Sequence, residues 1–220
     1  MTNLYIEAAQ NLIANCSIET TPNVYDKYGS FSELVPLENS IYVTYLPNEN
    51  AKKIIRDVPD FPKEGIIFKD ITPLLGDPVI FQKTINTLKE RYVSMKVDVV
   101  VGVEARGFIF ASALAYALGV GVVMIRKPGK LPYKIFQETY SLEYGTDTIE
   151  VHQDAFRSGQ NILVIDDVLA TGGTLAATLD LIQKHFDNVK IVEVAFVIEL
   201  DFLKGREKLK DTPVYSMIHY

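Results

Sequence analysis

An α/β domain with a mostly parallel central sheet, flanked by helices on both sides, is the fold class the sequence predicts. Short runs such as Val97–Val103 and Ile162–Ile165 are apolar nearly throughout, as strands buried on both faces are. Between such runs lie stretches whose apolar residues recur every three or four positions, the spacing of a helix face. Strand-like and helix-like segments alternate, and that order calls for crossover connections and hence parallel pairing.

Along the chain, residues 1–50 stand apart as an extension, with Lys27 as their only basic residue and many Asn, Ser and Thr. Within them, residues 4–13 suit a short amphipathic helix, while Ser17–Pro22 and Ile41–Pro47 read as strand-like pieces ended by proline. This extension is expected to pack on the main domain, to mediate assembly or to stay partly flexible, and its removal to leave the chemistry intact. Residues 51–220 form the main domain. Pro62, Gly65 and Pro73 make Phe61–Leu75 turn-rich rather than a core helix. Phe81, Ile85, Leu88 and Tyr92 step as a helix face, and Val97–Val103 follows as a strand. Phe108, Ala111, Leu114 and Leu118 mark the next helix, and Val120–Ile125 the next strand. Residues 139–151 read as a loop or hairpin, and Ile162–Ile165 as a strand. Leu175, Leu179, Ile182 and Phe186 give another helix face, and Ile191–Ile198 and Val214–Ile218 the closing strands.

Composition narrows the function classes. The chain has 220 residues, 48% hydrophobic and 23% charged, enough for a sizeable core. A net charge of -6 argues against a general nucleic-acid binder. The one cysteine, Cys16, excludes an intrachain disulfide framework, and His152, His185 and His219 have no zinc-ligand spacing. The first 26 residues hold no Lys or Arg, so a secretory leader lacks its basic region, and a cytoplasmic setting is the expectation. Gly107–Ile125 is uncharged and long enough to span a bilayer, but Gly119 and Gly121 divide it into a helix-like half and a β-branched half. A buried helix followed by a buried strand is the reading, without a membrane.

The segment Ile162–Thr174 carries the most chemistry. A buried strand runs into Asp166 and Asp167, and the turn Ala170-Thr171-Gly172-Gly173-Thr174 then opens a helix. Paired glycines let backbone amides converge, and amides at a helix N-terminus attract an anion. Adjacent carboxylates accept hydrogen bonds from a vicinal diol and suit a hydrated Mg²⁺. A solvated turn with capping residues accounts for one Asp and one Thr, but not for two carboxylates ahead of a glycine pair. Other phosphate motifs fail. Phe108 follows Gly107 where a P-loop requires Lys, and Met124 stands where a dinucleotide fingerprint requires its third glycine.

The stretch Val164–Thr174 resembles the phosphoribosyl-pyrophosphate (PRPP) motif of type I phosphoribosyltransferases. The resemblance implies that fold, with a small hood over about residues 54–80 and a core over 81–220. It implies that Asp166 and Asp167 hold the ribose hydroxyls while Ala170, Thr171, Gly172, Gly173 and Thr174 cradle the 5′-phosphate. Mg²⁺ is expected to arrive with PRPP near the two aspartates, without direct protein ligands. The loop Gly102–Phe108 resembles the family's pyrophosphate loop, giving Glu104, Ala105 and Arg106 to that group. Ile125-Arg-Lys-Pro-Gly-Lys-Leu-Pro132 is similar to the adenine-specific branch, adding Arg126, Lys127 and Lys130, one or more from a neighbouring subunit. Phe61–Leu75 resembles that branch's hood. It implies that Phe68 and Leu200 sandwich adenine and that backbone near Ile67 and Lys69 reads its edge. Tyr140–Gly145 matches the family's mobile catalytic loop, which assigns proton management on the purine to Glu143 and shielding to Tyr144, with Arg106 as a further catalytic group. Leu203–Leu209 matches as a structural segment near the base pocket. The implied activity is transfer of the 5-phosphoribosyl group of PRPP to N9 of adenine, giving AMP and pyrophosphate in purine salvage, by a homodimer that needs no nucleic acid. Alternatives are transfer to another purine, or a non-catalytic regulator that senses PRPP or a purine; residues 1–50 lack the basic recognition helix such a regulator needs.

Overall fold

The computed structural model describes residues 35–37, 40–43, 52–141 and 145–220. The chain divides into two compact units, Met1–Tyr42 and Val43–Tyr220. Strands β1 (Val35–Leu37) and β2 (Ser40–Val43) pair with each other. The expected helix at residues 4–13 and the strand-like piece Ser17–Pro22 lie outside the described residues; Ile41–Val43, within the piece Ile41–Pro47, is strand.

The second unit is built on a five-stranded sheet, β11-β10-β9-β5-β6, in which every adjacent pair is parallel. Its strands are β5 (Val99–Val103), β6 (Gly121–Ile125), β9 (Asn161–Leu169), β10 (Lys190–Glu199) and β11 (Val214–His219). Val99, Val101 and Val103 of β5 join Ile162 and Val164 of β9 in one apolar cluster with Leu175, Leu179 and Ile182. The last three belong to α4 (Gly173–His185). Strand side chains alternate between faces. The buried Val100, Leu163 and Ile165 therefore serve the opposite side, where α3 (Gly107–Leu118) packs on β5 and β9, with α2 (Pro78–Tyr92) behind it. Helices thus cover both faces, as the all-apolar strands require.

Local chemistry sets the boundaries. Asp77 caps α2 by accepting from the amides of Val79 and Ile80, and Pro78 follows at the position where a missing N–H costs least. The face that α2 buries is Ile80, Thr84, Ile85, Leu88 and Tyr92, so Phe81 lies at its margin. Strand β5 begins at Val99 because the Asp98 carboxylate accepts from the Asn161 amide beside it. Gly119, at φ 72°, ends α3 in the left-handed conformation, and β6 follows directly. Gly107–Ile125 is thus helix, turn and strand, and among the described residues no helix is long and apolar enough to cross a membrane.

Two further hairpins flank the sheet. Strands β3 (Arg56–Pro59) and β4 (Ile67–Asp70) pair antiparallel and lead into the short helix α1 (Thr72–Gly76). Residues 139–151, read as loop or hairpin, belong to a longer hairpin of β7 (Ile135–Ser141) and β8 (Thr146–His152). It is tied to the end of β6 by backbone bonds between Arg126 and Glu150, and to α4 by Phe136, whose ring stacks on His185 at 4.2 Å.

Candidate active site at the carboxyl end of the sheet

Strand β9 runs farther than the apolar run suggested. Its pairing with β5 ends at Ile165, but its pairing with β10 continues through Asp166, Val168 and Leu169. Asp166 and Asp167 therefore sit in a strand held on one side only, at the sheet's carboxyl end, where ligands bind in open α/β folds. Asp167 is buried and Asp166 half-buried. Burial raises the Asp166 carboxyl well above the carboxylate range, and the charge of Asp167 adds to it. Burial also raises Asp167, against the pull of the Arg106 guanidinium. Arg106 Nε stands 2.8 Å from Asp167 Oδ2. That contact is an ion pair only, for the buried Oδ2 accepts no well-aligned hydrogen bond.

The next residues build an anion cradle. Gly172, at φ 75°, is the N-cap of α4. The amides that open that helix have no intrahelical partner and face the turn Ala170–Thr174. Gly205 backs the turn: a Cβ there would overlap the Ala170 carbonyl oxygen and stand 3.0 Å from the Gly172 nitrogen. Gly107 is also packed closely against Asp166, with 2.8 Å from a notional Cβ to Asp166 Oδ1. Neither contact was readable from sequence. Leu203–Leu209, read as structural and near the base pocket, abuts the turn Ala170–Thr174 through Gly205.

Arg106 follows Glu104 and Ala105, which are joined by a cis peptide bond between β5 and α3. Its guanidinium also lies 4.9 Å from the centre of the Phe68 ring, so Phe68 of β4 and Asp167 of β9 share one cation. Phe61 meets Phe68 edge-on at 5.2 Å. Ile67 is exposed and Lys69 half-buried, its ammonium 2.6 Å from Asp57 and 3.9 Å from the Tyr220 ring centre. Leu200 is half-buried just beyond β10, where its amide donates to the Leu169 carbonyl.

The second cation group follows β6. Glu104 accepts from Arg126 Nε at 3.2 Å, from the Lys127 amide at 3.0 Å and from the Lys130 ammonium. Burial would raise the Glu104 carboxyl, but these three donors outweigh it and hold it below its usual value. The Glu104 side chain is thus the counter-charge that gathers the loop; an anion there would meet its cations, not its carboxylate. Lys127 reaches the other way, to Asp147 and Tyr140. Burial opposes its charge, yet Asp147 and Tyr140 outweigh that and raise the Lys127 ammonium. The hydroxyl of Tyr140 also meets Thr174 Oγ1 at 2.9 Å. Asp147 had no signal in the sequence, and Tyr140 was part of a matched segment without a role. Glu143 and Tyr144 lie outside the described residues.

Glu199, Asp201 and His219 also converge, but Glu199 is already bound by Arg206 and by Ser216 Oγ at 2.5 Å. That cluster buttresses the end of β10.

The family model described as the phosphoribosyl transferase domain matches residues 76–219. An adenine phosphoribosyltransferase of Citrifermentans bemidjiense is 56% identical over 172 residues, covering 78% of this chain and 99% of that protein. The chain belongs to the adenine phosphoribosyltransferase family. The adenine phosphoribosyltransferases are pentosyltransferases, and solved members share this fold. The enzyme from Thermoanaerobacter pseudethanolicus superposes with a TM-score of 0.76 at 45% identity, covering 79% of this chain and all of that one. The Saccharomyces cerevisiae adenine phosphoribosyltransferase, solved with an iminoaltritol bisphosphate and adenine, gives a TM-score of 0.72 at 43% identity, covering 77% of this chain and 97% of its own. In this chain two aspartates, a glycine turn and two loops bearing cations are gathered at the carboxyl end of the sheet.

Proposed function

We propose that this chain transfers the 5-phosphoribosyl group of PRPP to N9 of adenine, releasing pyrophosphate and forming AMP. The observation that carries the reading is the position of Arg106, in contact at once with Phe68 and Asp167. One residue thereby joins the base side to the ribose side, with the second cation loop beside it at Glu104.

The 5′-phosphate seats on Ala170–Thr174, where the free amides of α4 and the hydroxyls of Thr171 and Thr174 face it. The ribose hydroxyls donate to Asp166 and Asp167, whose orphaned Oδ2 gains a donor. Arg106, Arg126, Lys127 and Lys130 stabilise charge growing on pyrophosphate as its bond to C1′ breaks. Phe68 and Leu200 hold the purine plane, and backbone at Ile67 and Lys69 reads its edge. N9 is thereby held in line with C1′. Glu143 moves the purine proton and Tyr144 shields the site from water. The carboxylate oxygens of Asp166 and Asp167 suit a hydrated Mg²⁺, which, when bound with PRPP, would neutralise phosphate charge. The protein supplies position and electrostatics, with no covalent nucleophile.

A homodimer is part of this reading. Tyr116 is 90% exposed on α3, and Ile109, Val122 and Met124 are exposed on α3 and on the edge strand β6. Exposed apolar side chains on an edge strand and its neighbouring helix suit a second copy. The single cysteine suits a cytoplasmic setting. The deciding experiment is AMP formation from PRPP and Mg²⁺ with adenine, hypoxanthine, guanine and orotate supplied separately. Turnover confined to adenine is the expected result. Turnover with another base overturns the base assignment, and PRPP binding without turnover on any base replaces the enzyme with a sensor.

A further inference from the structure

Tyr140 stands where three functional segments meet. It lies near the end of β7, three residues before Glu143 in the sequence. Its hydroxyl is 2.9 Å from Thr174 Oγ1 in the phosphate turn, 3.1 Å from Asp147 Oδ2 on β8 and 3.3 Å from Lys127 Nζ in the cation loop. Its ring packs against the apolar cluster and against the first turn of α4, where a Cβ on Gly173 would lie 3.8 Å away.

Proton bookkeeping limits what this hydroxyl does. A phenol has one proton to donate and accepts two. Lys127 can only donate, and ionised Asp147 can only accept. Two arrangements remain. In one, Tyr140 donates to Asp147 and accepts from both Lys127 and Thr174, so the Thr174 proton is spent on Tyr140. In the other, Tyr140 donates to Thr174, and the Thr174 proton is free for an anion in the turn. A phosphate on Ala170–Thr174 selects the second arrangement. Asp147 then gives up the Tyr140 bond and keeps Lys127 and the Thr148 amide.

We propose that Tyr140 is a positioning residue: its hydroxyl senses phosphate at Thr174 and passes that occupancy to the β7–β8 hairpin and to Lys127. This rests on the reading that Ala170–Thr174 binds the phosphate of PRPP. The sugar-phosphate end would thereby bear on the Lys127–Asp147 pair and so on a cation proposed to face pyrophosphate.

Tyr140→Phe keeps the ring and deletes only the hydroxyl. PRPP affinity by titration calorimetry, in the full chain with Mg²⁺, is the main readout, with KM for each substrate alongside. The expected result is a PRPP Kd tightened ~5–10-fold in Tyr140→Phe, because binding no longer costs the charge-assisted Tyr140–Asp147 bond, with KM for adenine essentially unchanged. In Thr174→Val, adding Tyr140→Phe should produce no further change, because the coupling is already gone. Equal or weaker PRPP affinity in Tyr140→Phe, or effects that multiply independently in the double variant, would overturn the proposal. A wild-type chain that binds PRPP but makes no AMP sinks the transferase reading and leaves this comparison decisive. A chain that binds no PRPP overturns both.

Discussion

At Asp166, burial and the neighbouring charge of Asp167 push the carboxyl well above its ordinary range, and a folded chain that keeps it ionised does so at a cost in stability. The sign of the pH dependence follows. Above the folded-state pKa, Asp166 is ionised in both states and the cost is full. As pH falls through that value toward the unfolded carboxylate pKa, near ~3.9, the folded state takes up the proton first and the cost disappears. Asp166→Asn keeps an oxygen for the Asp167 amide, which now donates to Asp166 Oδ1 at 2.9 Å. The variant should raise Tm by about 3 °C at pH 8 and by progressively less as pH is lowered, while PRPP affinity falls at least ~10-fold. Scanning calorimetry across pH checks the first part, and a Tm gain independent of pH would refute it. The candidate phosphate and ribose residues stood out in the sequence because Ile162–Thr174 is contiguous and its residue types have few other uses together. Tyr140 and Asp147 did not, because their meaning lies in bonds to Thr174 and Lys127, which only the fold brings near.

At the scale of elements, the phosphate turn is held from behind by the 3₁₀ turn Gly205–Leu209, anchored by buried Leu209 and by the bidentate grip of Arg206 on Glu199. Gly205→Ala must displace either this turn or Ala170–Gly172, since both sides of the contact are backbone. We expect a loss of several degrees in Tm and PRPP affinity weakened ~10-fold or more, with adenine affinity less affected. Calorimetric titration of both substrates measures it; unchanged PRPP binding would mean that the turn needs no backing. Most elements of the sheet unit were legible from periodicity, since Leu114 or Ile182 buries the same stripe whether read in sequence or in space. Strand β9 was misjudged in length because two carboxylates, Asp166 and Asp167, interrupt its apolar run ahead of Val168 and Leu169. They stay in strand through the β10 backbone, a cause that no residue type signals.

For the whole molecule, every described residue assigned to the site lies in Val43–Tyr220. A chain beginning at Val43 should therefore sediment as a dimer and keep kcat/KM for adenine within ~2-fold of the full chain. Loss of turnover in a shortened chain that remains folded would give the first unit a part in the chemistry. Within the second unit the labour is divided. The residues proposed to hold PRPP lie on parallel strands and helix ends of the central sheet, whereas Ile67, Phe68 and Lys69 come from the short β3–β4 hairpin, contiguous in sequence and outside that sheet. Among the described residues, Arg106 meets the hairpin at Phe68. On the proposed reading the hairpin supplies one face of the base pocket and Leu200 the other, so exchanging residues 56–70 would recast one wall of that pocket while leaving the proposed sugar-phosphate residues in place.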